Sequence, residues 1–225
     1  MEIPEAPYNY CDYRCEKCPW TEHCAIYQQE QADRLLLQAD EIDPDSWEGT
    51  LELVRRNFEK AHKMLEEDAE KMGIDLSDPL EPVPEPPETE LEQRAHECAL
   101  RLHQLSKRIA SSEEFSRWQE ILDEAYQDLL WNQTLFAVKL RRAMHGLWDY
   151  ENEDDDDLRD VDFSDGMKSA EVSVRAMESN REALAILAEK ISPLAGEIRQ
   201  EIRELEQIQS ALEAELRKYR GEGSS

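Results

Sequence analysis

Phe115, Leu122, Leu129, Phe136 and Ala143 recur at every seventh position. An α-helix completes a turn in 3.6 residues, so this repeat draws one apolar line along about eight turns of helix. A strand, whose period is two, has no use for it. The same grammar runs through the chain. Leu91, Ala95, Cys98, Leu102, Leu105 and Ile109 alternate steps of four and three, as in a coiled-coil seam. Ala170, Met177, Leu184 and Ile191 form another line, and Ile198, Leu205, Leu212 and Tyr219, joined by Ile202 and Leu216, a further one. Only 7 of 225 residues are Gly, and no run of Val, Ile and Thr alternates with polar residues. The expected fold is all-α: a helical bundle with coiled-coil-like hairpins and a small cysteine-rich N-terminal metal module.

Local signals divide the chain further. A first helix is expected from Thr21, as N-cap, to about Asp40. Asp43-Pro44 opens a second, with the stripe Trp47, Leu51, Val54, Phe58, Ala61, Leu65 and Met72, and Gly73 stops it. Residues 1–73 thus make a cysteine-cluster module with two helices. Five prolines make 74–87 a Pro-rich, extended linker. Residues 88–220 make a four-helix region, with a capping box at Ser111 and Glu114 opening its second helix. Trp118, Trp131, Leu135 and Val138 widen the stripe of that helix, which suggests more than one neighbour. An acidic loop is expected at 150–165, where nine acids face one Arg. Ser192-Pro193 joins the last two helices as an antiparallel hairpin, and 221–225 form a tail.

The net charge of −27 repels phosphate backbones, so no nucleic-acid partner is expected. The cluster Lys139, Arg141 and Arg142 reads as a solvated helix face. No stretch has the apolar length of a membrane span, and the acidic N-terminus lacks signal-peptide features, so a cytoplasmic location without membrane contact is expected. Thiols stay reduced there, which argues against disulfides.

Four of the five cysteines then stand out. Cys11, Cys15, Cys18 and Cys24 fall within fourteen residues, spaced C-x3-C-x2-C-x5-C. Four thiolates complete a tetrahedral zinc site or hold a four-iron cluster. The C-x2-C turn aims two sulfurs at one point, and Pro19, Trp20 and nearby tyrosines supply apolar cover. Arg14 and Lys17 offset thiolate charge. A [4Fe–4S] cluster on these four residues is the expected cofactor, with Zn as the alternative. Zinc ribbons usually pair two C-x2-C knuckles, and the segment has one.

Cys15-x2-Cys18-Pro19-x4-Cys24-x2-Tyr27 resembles the C-x2-C-P-x4-C segment of WhiB-like iron–sulfur regulators. It also resembles the C-x2-C-x5-C motif of iron–sulfur RecB-type and CRISPR-associated nucleases. The resemblance covers about a dozen residues. It implies that Cys15, Cys18 and Cys24 are cluster ligands, with Cys11 as the fourth. The glycine-tryptophan turn of the regulators and the nuclease core are absent from the sequence, so only the cluster carries over.

Other patterns read as ordinary structure. Glu59-x2-His62 is half of a di-iron motif without its second copy. His96 and His103 flank the Cys98 seam, and Cys98 itself reads as core. Asp160, Asp162, Ser164 and Glu171 echo a calcium loop, but Gly166 comes one residue late. No phosphate loop, nucleophile elbow or acid/base set appears, so no active site is expected. The expectation is a metal-binding protein that senses redox state or metal, or acts as an interaction scaffold. It would use a protein partner or self-association through its helical seams. The alternatives are an electron-transfer or enzyme accessory subunit and a zinc-stapled structural adaptor.

Overall fold

A computed structural model describes residues 11–73, 75–76 and 84–221. Among them are six α-helices and no strand: α1 (Ala25–Ala39), α2 (Trp47–Met72), α3 (Glu90–Ala110), α4 (Glu113–Asn152), α5 (Asp156–Lys190) and α6 (Ala195–Arg220). Most of the linker expected at 74–87, the first ten residues and most of the tail lie outside the described residues. The chain divides into two compact units. Among the described residues, one starts at Tyr13 and contains α1 and α2; the other takes in Cys11 and Asp12 and contains α3 to α6.

In the first unit, α1 ends in a Schellman turn. Glu41 takes a left-handed backbone (φ 61°), the Ile42 amide donates to the Leu37 carbonyl, and the Glu41 amide to that of Gln38. α2 starts three residues later than Asp43 would have it. Ser46 is the N-cap, its Oγ accepting from the Gly49 amide at 2.9 Å while donating to the Asp43 carbonyl at 2.6 Å. Asp43 and Pro44 instead form the turn against which Gly49 packs, where a Cβ would lie 2.3 Å from the Asp43 carbonyl. Arg56–Asp40 and Arg34–Asp45 pairs tie the two helices. Gly73 ends α2 at φ 69°. The α2 stripe is open to solvent: Trp47 is 76% and Phe58 73% exposed.

The second unit is a four-helix bundle. α3 packs on α4, α4 on α5, α5 on α6, and α6 closes back on α3. Here the seven-residue lines turn inward. Cys98, Leu102, Leu122, Leu129, Phe136, Met177, Leu184, Leu205 and Leu212 belong to one core and are wholly buried. The seams of α3 to α6 therefore close within one chain. Trp131 and Val138, expected to widen the α4 stripe, stay substantially exposed. The cap of α4 is Ser112 rather than Ser111, with Oγ accepting from the Phe115 amide at 3.1 Å. α3 carries a capping box formed by Thr89 and Glu92.

The acidic segment 150–165 is not a loop, since only residues 153–155 interrupt the helices. Asp155 caps α5, accepting from the Asp157 and Leu158 amides, and Asp156 and Asp157 occupy the first turn, where the helix dipole favours negative charge. Arg159 donates to the Tyr150 carbonyl, and Arg142 grips Asp165 through both oxygens at 2.8 and 2.9 Å. Asp160 to Glu171 are consequently helical and form no calcium loop. Lys139, too, departs from expectation: it is not on a solvated face but 5% exposed.

The α4–α5 contact explains why the acidic segment is drawn in. Gly146 and Gly166 let the backbones touch, because a Cβ on Gly146 would sit 3.0 Å from the Gly166 amide and one on Gly166 3.1 Å from the Leu147 amide. Side chains then bridge the helices. Ser173 Oγ donates to the Phe136 carbonyl at 2.8 Å, and Asn180 Nδ2 to the Asn132 carbonyl at 2.9 Å.

Candidate functional site

The cysteine segment is built from two short 3-10 turns, Cys15–Lys17 and Thr21–His23. The Cys18 amide donates to the Cys15 carbonyl at 3.2 Å and the Cys24 amide to the Thr21 carbonyl at 3.3 Å. Thr21 links the two turns. Its Oγ1 lies 2.7 Å from the Cys15 carbonyl and 2.8 Å from that of Cys18, its one proton shared between them. Thr21 is thus not the N-cap of α1, and Cys24 holds that position without a side-chain cap bond. The signal was present in the sequence, since Ser and Thr hydroxyls bond to nearby backbone in turns as readily as at caps.

All four cysteines of the segment are half-buried thiols. Trp20 is half-buried beside them in sequence, while Tyr13 is 49% exposed at φ 60°. Arg14 donates through Nε to Glu16 at 2.9 Å, which commits part of the positive charge expected to serve the thiolates. His23 is exposed. Cys15, Cys18 and Cys24 belong to the first compact unit and Cys11 to the second. Among the described residues, no three His, Cys, Asp or Glu side chains are gathered in a way that could hold a metal ion.

Within the second unit, Trp131 anchors the residue after Cys11. Its Nε1 donates to the Asp12 carbonyl at 2.7 Å. Lys139 is affected by Cys11 and Asp12 too. Burial and the neighbouring Arg142 push its ammonium below the usual lysine range, while Asp165, Cys11 and Asp12 act in the opposite sense. Helical periodicity could not single out this lysine, because a lone Lys between apolar residues reads as the edge of a stripe.

Cys98 is fully buried in the α3 seam, and burial, with Glu201 beside it, pushes its thiol up to about 12. Glu201, 4% exposed, is held by Arg101 at 3.0 Å. His96 and His103 are exposed on α3. Glu59 pairs with Arg55, and His62 lies 3.5 Å from Glu66 on the surface of α2. No helix among the described residues is long and apolar enough to cross a membrane. No known protein family matches the chain, and no characterised protein or solved structure shows detectable similarity to it.

Proposed function

We propose that this is a metal-binding helical scaffold whose segment Cys11, Cys15, Cys18 and Cys24 takes up a [4Fe–4S] cluster. The observation that carries the reading is the crowding of four half-buried thiols into fourteen residues, on a backbone already turned twice and tied through Thr21. A four-thiolate set satisfies such a cluster without any other ligand. Thiolates that ligate a metal would couple its binding to the local folding of this segment, so that binding energy would become folding energy there. A bound cluster supplies one-electron redox chemistry. The residues themselves supply thiolates, turn geometry and partial cover from water.

The scaffold role rests on α2. Its stripe of Trp47, Leu51, Val54, Phe58 and Leu65 is exposed along the helix, which is what a surface for a helical protein partner requires. Zinc is the second reading, favoured by the Cys15–Cys18 turn, whose C-x2-C spacing and backbone bond suit a zinc knuckle. Anaerobic purification with quantitation of iron, sulfide and zinc decides. Iron and sulfide near four per chain, with broad absorption at roughly 400 nm, support the cluster. One zinc per chain without iron supports the knuckle, and neither metal after reconstitution overturns both. The Cys18→Ser and Cys24→Ser variants are expected to lose the metal while retaining helical circular dichroism.

A further inference from the structure

The bundle has a cleft of about 220 Å³ where the start of α3 meets the last turns of α4 and α6. Three carboxylates line it, Glu92, Glu151 and Glu215, beside the aromatic rings of Trp148 and Tyr219. Glu92 is the unusual member, being 4% exposed. Its Oε2 is occupied by the capping box, accepting from the Thr89 amide at 2.8 Å and the Thr89 hydroxyl at 2.7 Å. Its Oε1 is buried and accepts no hydrogen bond. His145 Nε2 lies 3.2 Å from that oxygen, within ion-pair range but not aligned as a hydrogen bond. A buried carboxylate oxygen left this way carries a desolvation penalty that a well-aimed N–H donor relieves.

The other polar groups of the cleft are already engaged. Tyr219 donates to Glu151 at 2.6 Å, and Lys218 pairs with Glu215. An anion is disfavoured by the three carboxylates and by the C-terminal, negative ends of α4 and α6, while the positive end of α3 is already answered by Glu92 in the capping box. A metal ion is disfavoured because no three ligating side chains converge among the described residues. What fits is a donor of positive charge with a short apolar arm, which aromatic walls attract through their faces. The volume lies below that of a drug-sized pocket and suits a small group.

We infer that this cleft binds a primary alkylammonium group, whose N–H donors reach Glu92 Oε1 and displace the His145 ring, with its alkyl arm against Trp148. The ammonium can belong to a free small diamine or to a lysine side chain of a partner protein.

The test uses the full chain in buffered solution. Cadaverine and an Nα-acetyl-lysine amide are titrated separately, reading the indole and imidazole resonances by NMR. Saturable shifts at Trp148 and His145 are expected, with affinity reduced about 10-fold or more in Glu92→Gln. Gln retains the capping-box geometry, so this variant keeps the helix start, which its melting curve checks. Glu120→Gln, the same charge change on the exposed face of α4, is expected to bind as the unmodified chain does. Trp148→Leu, about 3-fold weaker, serves as an independent variant. Saturable binding of cadaverine alone assigns a free amine, and binding of the lysine amide assigns a partner's side chain. Equal binding by Glu92→Gln and Glu120→Gln, or no saturable binding of either probe, overturns the inference.

Discussion

At the scale of the residue, Gly166 sits where two helix backbones touch. A Cβ there meets the Leu147 amide at 3.1 Å and the Ala143 carbonyl at 3.2 Å. Backbone cannot swing aside as a side chain can, so Gly166→Ala is expected to cost about 1–3 kcal/mol of stability in urea titration. Nothing in the sequence marked this glycine as a contact, because its partner is twenty positions away and periodicity records only a residue's own helix. Glu41 makes the opposite case. Its left-handed backbone is one that L side chains tolerate poorly, and Glu41→Gly is expected to gain about 0.5–1 kcal/mol. Cys98 adds a pH dependence. Its thiol ionises near 9 when unfolded and only near 12 when folded. Between those values the unfolded chain binds fewer protons than the folded one, so stability falls as pH rises from about 9 towards 12. Stability measured across that window is expected to fall less steeply in Cys98→Ala. That Cys98 is core was legible from its place in the four-three seam; the buried Glu201 that helps raise its pKa was not.

At the scale of the element, caps and stripes behave differently. The α3 capping box satisfies two backbone donors that the helix itself leaves open, and Thr89→Ala is expected to lower stability by about 1 kcal/mol in chemical denaturation. The α2 and α3 stripes share the same spacing, yet their substitutions are expected to diverge. Leu102→Ala, in a wholly buried position, costs about 2–5 kcal/mol. Phe58→Gln, 73% exposed, stays within about 0.5 kcal/mol of the unmodified chain. Both outcomes are read from the same denaturation curves. The acidic segment teaches the converse. Its charge density reads as loop, but Asp155, Asp156 and Asp157 stand at a helix start, where negative charge stabilises, and Arg159 and Arg142 neutralise part of the rest.

At the scale of the whole molecule, a net charge of −27 opposes compaction through self-repulsion. Raising sodium chloride from about 0.01 to 1 M shortens the screening length from about 30 to 3 Å. The melting temperature is expected to rise over that range, as followed by circular dichroism. The sequence by itself determined that the chain is helical, where most helices begin and end within a few residues, and that four thiols lie close along the chain. These are local properties, written in the 3.6-residue turn, in capping chemistry and in short spacings. Tertiary structure alone decided which apolar lines are covered, that α4 and α5 meet at Gly146 and Gly166, that Lys139 is buried, and that Glu92 and His145 face one cleft. Each of these depends on a partner far away in sequence. Periodicity shows that a helix has an apolar face, but only packing selects what that face meets.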